Sequence, residues 1–109
     1  MGMNVSGFVW HRLRDRGIVR VYGYPGDGVG GLDEALQKVI ETLHYVQVRH
    51  EEIAAFTAPA HAKFTGEVGL RYATFGPGAI HPLNGLYDTK MDHMPVVACI
   101  RALAARGEL

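Results

Sequence analysis

A single cysteine, Cys99, stands in a chain of 109 residues. No disulfide can close within the chain, and no thiolate cage for zinc can form. That composition suits a reducing cytoplasm. Charge of one sign is equally scarce, because eleven Lys and Arg balance eleven Asp and Glu. A phosphate backbone demands a basic surplus, so nucleic acid is excluded as the main partner. Long apolar runs are missing as well: mean hydropathy is near zero, and nothing approaches the ~18 apolar residues that cross a bilayer. Met1 to Trp10 lacks a basic start followed by an apolar core, so no secretory signal is read there.

What is present is glycine, fourteen of them, roughly twice the usual ~7%. The length allows one small domain that buries roughly 65% of its unfolded surface. Asn4 reads as an N-cap, with Val5, Phe8, Val9 and Leu13 at helical spacing before Gly17. Ile18 to Tyr22 reads as a strand, and a glycine-rich loop runs from Gly23 to Gly31. Leu32, Ala35, Leu36, Val39 and Ile40 mark a second helix, and Leu43 to Val48 a second strand. Glu51 to Phe64 is helical with Ile53, Phe56, Ala60 and Phe64 on one face, although Pro59 falls mid-helix, where a kink is expected. Val68 to Thr74 is a third strand. A turn at Gly76-Pro77-Gly78 leads to a helix from Ala79 to about Lys90, with Pro82 in its first turn. Pro95 to Ile100 is apolar throughout, as a strand covered on both faces is. Strands alternating with helices predict an α/β fold: an open, mostly parallel four-stranded sheet with helices on both faces, layered as in flavodoxin. Four strands with a raw edge are few for a finished domain.

Parallel α/β sheets bind ligands beyond the carboxyl ends of their strands. The candidates are therefore Gly23 to Gly28, Arg49 to Glu52 and Phe75 to Gly78. Gly26, Gly28 and Gly31 match the G-x-G-x-x-G spacing of dinucleotide sites, with Glu51 about twenty residues on. Tyr24 and Pro25 lengthen a turn that this motif keeps tight, and Arg49 rather than an acid ends the second strand. Arg49-His50-Glu51-Glu52 opens a helix, where the dipole favours carboxylates. Apolar neighbours Ile53, Ala54 and Phe56 would raise a buried carboxyl's pKa, against the dipole, and spacing alone leaves that balance open. The six histidines show no recognisable ligand spacing, so no metal site is expected within the chain.

Several short motifs occur in one order: Val21-Tyr-Gly-Tyr-Pro-Gly26, Val48-Arg-His-Glu-Glu52, Ala62-Lys-Phe-Thr-Gly66 and Thr74-Phe-Gly-Pro-Gly78, then His81, Asn84-Gly-Leu-Tyr-Asp88 and Asp92-His-Met-Pro-Val96. Together they resemble the N-terminal pyrimidine-binding (PYR) domain of thiamine-diphosphate-dependent enzymes, nearer the pyruvate oxidases than the acetolactate synthases. The resemblance covers residues 4 to about 100, a partial PYR domain, and leaves 101–109 as a divergent tail. It implies that Glu51 is the catalytic carboxyl. Its proton sharing with the aminopyrimidine ring favours the imino tautomer that takes the thiazolium C2 proton. Tyr24, Pro25 and Gly26 would lie on the ring, and Gly76, Pro77, Gly78 and His81 would line the same cleft. The implied activity is on 2-keto acids such as pyruvate, decarboxylation followed by oxidation or condensation. The cofactor would be thiamine diphosphate, with Mg2+ held by a separate pyrophosphate domain and FAD possible in a full enzyme. Another subunit or domain would supply the diphosphate site, a homo-oligomer is expected, and this chain alone would be inactive. Gly26-Asp27-Gly28 mimics the family's metal motif without its closing asparagine, so no metal role falls to Asp27.

The sequence departs from the family at Pro59, at Phe75 before Gly-Pro-Gly, and at Arg101-Ala102 where the family turns with Gly-Gln. Two other readings stay open. One is a non-catalytic interaction module or gene remnant whose sheet edge pairs with another copy. The other is a dinucleotide-binding domain built on Gly26, Gly28 and Gly31.

Overall fold

A computed structural model describes residues 3–26 and 30–100. Gly28 and Asp27 of the glycine motifs, and the tail at 101–109, lie outside the described residues. Nine elements follow in order: α1 (Val5–Asp15), β1 (Arg20–Gly23), α2 (Gly30–Gln37), β2 (His44–Gln47), α3 (Glu51–Thr65), β3 (Gly69–Ala73), α4 (Pro77–Ile80), α5 (Leu83–Met91) and β4 (Val96–Ile100). The sheet is four-stranded, wholly parallel, and ordered β2-β1-β3-β4. The expected α/β class and open parallel sheet are thus what the molecule has.

The helix ends follow local chemistry. Asn4 caps α1, its side-chain oxygen accepting from the Gly7 amide at 2.8 Å. Gly66 closes α3 in the left-handed conformation, φ 74°, which glycine adopts without steric penalty. Pro59 does not break α3, which runs through it for 15 residues. The missing amide frees the carbonyl of Ala55, one turn back. Gly85 of α5 lies against that carbonyl, and a Cβ there would stand 2.6 Å from the Ala55 oxygen.

Val21 and Tyr22 point to opposite faces of β1 and enter two different cores. On one face Trp10, Ala35, Leu36 and Val39 from the α1–α2 side pack on Val21, Leu70 and Tyr72. Trp10 donates to the Leu32 carbonyl at 2.8 Å, and the Tyr72 hydroxyl donates to Asp33. On the other face Ala54 and Ala58 of α3 meet Tyr22 and Val48, and α5 lies on α3.

Three expectations are corrected here. The α3 face of Ile53, Phe56 and Phe64 is exposed, Phe64 by 92%. The helix buries Ala54, Ala55, Ala58, Pro59 and Ala62 instead, because small residues bring its axis close to β3 and α5. The single helix from Ala79 to Lys90 is two, α4 and α5, parted at His81-Pro82, since Pro82 has no amide to continue the ladder. Finally, β4 is not covered on both faces. It lies at the sheet edge with partly exposed residues, whereas β3, between β1 and β4, is buried at every position.

That central strand carries Arg71, which is fully buried. Its Nε, Nη1 and Nη2 have no hydrogen-bond partner among the described residues.

Candidate functional site

Parallel pairing sets the carboxyl ends of β1, β2 and β3 at one end of the sheet. From there issue Tyr24-Pro25-Gly26, Arg49-His50 leading into α3, and Thr74-Phe75-Gly76 leading into α4. The three segments converge on Glu51, the first residue of α3. His50 caps that helix, its Nδ1 accepting from the Glu52 amide at 3.1 Å.

The Glu51 side chain is 14% exposed, and its Oε2 lies 3.1 Å from Nδ1 of His81. Its other oxygen faces Gly78, where a Cβ would stand 3.4 Å from Oε1 and 2.6 Å from Thr74 Cγ2. A Cβ on Gly26 would likewise stand 3.1 Å from Thr74 Cβ. Two loops therefore close around Thr74 only because both flanking residues lack side chains. The His50 and His81 rings lie with centroids 4.4 Å apart, tilted by 31°. Asn84 of α5 donates to Glu52 at 3.0 Å, tying the two helix starts together.

The Glu51 carboxyl is held below the usual carboxylate range. Burial is the largest single influence and pushes the value up. The helix's own amide, the hydrogen bond and charge of His81, and the charge of His50 together outweigh it. The competition between burial and helix terminus is settled in favour of the ionised form.

The structure thus brings together Glu51, His81, Gly78 and, through Thr74, Gly26. Gly76 precedes α4 with φ 65° and sets the turn that delivers Gly78. Tyr24, Pro25 and Pro77 stand exposed on the rim, and no hydrogen bond joins them to Glu51 among the described residues. Sequence reasoning did not single out Thr74 or the His50–His81 stacking. A small β-branched residue between two glycine turns was the available sign of Thr74. The ring contact links positions far apart in the chain and leaves no local sign.

A carboxylate at a helix start and glycine turns at the carboxyl ends of a parallel sheet define an α/β domain of the kind that binds ligands at its strand ends. Residues 3–104 match the family model described as "Thiamine pyrophosphate enzyme, N-terminal TPP binding domain". The chain belongs to that family. It is 43% identical to pyruvate oxidase of Lactiplantibacillus plantarum over 84% of this chain and 15% of that protein. It is 45% identical to the putative thiamine pyrophosphate-containing protein YdaP of Bacillus subtilis over 89% of this chain and 17% of that one. Acetolactate synthase isozyme 2 large subunit of Escherichia coli is 38% identical over 94% and 18%. The chain thus spans about a sixth of the length of these relatives.

No helix among the described residues is long and apolar enough to cross a membrane.

Proposed function

We propose that this chain binds thiamine diphosphate through its aminopyrimidine ring, as one part of an enzyme acting on 2-keto acids, pyruvate foremost. The observation that carries the reading is the Glu51 carboxylate: ionised at the start of α3, held on Oε2 by His81, with Oε1 beside the glycine turn at Gly78. The residues fit the group. A flat ring needs approach to the backbone, and Gly26 and Gly78, having no side chains, bring their two turns together on Thr74 beside Glu51. A ring nitrogen that must share a proton needs a carboxyl fixed in orientation, which the helix start and His81 provide.

The Glu51 carboxylate would accept a hydrogen bond from a ring nitrogen protonated from solvent, with His81 steadying Oε2 and Tyr24 and Pro25 standing beside Gly26. Bound thiamine diphosphate supplies the electron sink for decarboxylation. The diphosphate, its Mg2+ and any flavin fall to other domains or a partner subunit. The relatives' names include a pyruvate oxidase and acetolactate synthases, which supports a 2-keto acid as substrate.

The test is Glu51→Gln in an enzyme whose corresponding N-terminal segment is replaced by residues 3–100 of this chain. Exchange of the cofactor's C2 proton should fall by at least a hundredfold while folding is kept, in line with a positioned acid–base group worth about 10²–10⁴. Unchanged exchange would remove Glu51 from the mechanism.

A further inference from the structure

No pair of histidines in the sequence has ligand spacing, yet the fold assembles a donor set from two distant segments. His50, Glu51 and His81 each offer one ligand atom, and these atoms lie within 4.8 Å of one another. We propose that the three residues bind a divalent transition-metal ion, zinc foremost, when no organic ligand occupies the cleft.

The distances favour it. A tetrahedral zinc ion with bonds of about 2.0–2.1 Å holds its ligands roughly 3.3 Å apart. The Glu51 Oε2 to His81 Nδ1 separation of 3.1 Å already matches that edge. The His50 ring lies beside the His81 ring, 4.4 Å between centroids, so a modest rotation brings a third donor to the same point. Two imidazoles and one carboxylate form the three-ligand set of open zinc sites, which leaves a fourth position to water. Nitrogen donors also select zinc over magnesium or calcium, which prefer oxygen alone.

Access and charge agree as well. The His81 side chain is 41% exposed and His50 is exposed, so an ion can enter from solvent. The Glu51 charge offsets the positive end of α3. His50 must release the Glu52 amide to coordinate through Nδ1, which sets the affinity below that of a preformed structural site. An ion on Oε2 occupies the carboxyl that the proposed function needs, so metal and aminopyrimidine exclude each other. Only this exclusion rests on the function proposed above.

Titration of the 109-residue chain with CoCl2, read by visible absorption, followed by displacement with ZnCl2, tests the site. One equivalent of tetrahedral cobalt is expected. His81→Asn and Glu51→Gln should each weaken binding tenfold or more with unchanged circular dichroism, while His11→Ala in α1 leaves the isotherm as it was. No binding, or an isotherm indifferent to both His81→Asn and Glu51→Gln, overturns the proposal. Thiamine, which has the ring but no diphosphate to chelate the ion, should weaken zinc binding. If zinc binding depends on His81 and Glu51 but ignores thiamine, the metal site stands and the proposed cofactor site falls.

Discussion

Arg71 is the side chain most at odds with its surroundings. A guanidinium that has no hydrogen-bond partner among the described residues, in a fully buried strand, forgoes its hydration without a visible return. Burial pulls its pKa down, and the charges of Cys99 and Glu51 oppose that. Arg71→Met, unbranched like arginine and apolar though shorter, should therefore stabilise the chain by about 1–3 kcal/mol. Urea denaturation measures it, and a lower midpoint for the variant would show that the guanidinium has a stabilising partner. Tyr72, the next residue, behaves in the opposite sense. Burial first, then its bond to Asp33 and the neighbouring Tyr45, drive its phenol pKa far up. A folded-state value above the unfolded one gives stability that is whole below the ordinary phenol pKa of about 10. It is lost as pH rises beyond that point. Denaturation midpoints from pH 8 to 11 should fall for the parent chain and stay flatter for Tyr72→Phe. Parallel curves would remove Tyr72 as the cause.

Among the elements, α3 is the most instructive. Its start was readable from Glu51 and Glu52, two acids in the first turn, and Gly66 gives the stop, whereas the His50 cap was not read. Its buried face was not. Spacing finds the large side chains Ile53, Phe56 and Phe64, but the helix buries alanines because Gly69 and Gly85 let backbones approach closely. Those glycines lie in β3 and α5, so local periodicity carried no trace of the choice. Spacing alone likewise left the Glu51–His81 contact unread, its members thirty residues apart, although the family resemblance put both residues in one cleft and the Gly76-Pro77-Gly78 turn was plain. Gly85→Val offers the direct check. Its Cβ would stand 2.5 Å from Ala55 Cβ, and neither helix backbone can yield. A loss of about 1–3 kcal/mol is expected, measured by thermal or urea unfolding. A neutral substitution would show that the α3–α5 contact is loose.

The molecule as a whole shows solvent a set of large apolar side chains: Ile53, Phe56 and Phe64 on α3, and Ile80, Leu83, Tyr87 and Met91 on α4 and α5. Isolated exposed residues are ordinary, but seven on the helices of one layer match a surface that another protein covers. Sedimentation of the isolated chain should therefore show mass rising with concentration. Phe64→Lys with Tyr87→Lys should restore the monomer without lowering the melting temperature, since neither side chain is buried. Persistent association in that variant would place the contact at the sheet edges instead. Strand order bears on a different matter, the emergence of the chain from a ribosome. Because β3 inserts between β1 and β4, the first half of the polypeptide can pair β1 with β2 but cannot finish either core. Leu70 and Tyr72 complete one layer, and Gly69 admits α3 to the other. Neither layer can close before β3 is made, and until then the apolar faces of both stand open to solvent, the kind of surface that chaperones hold.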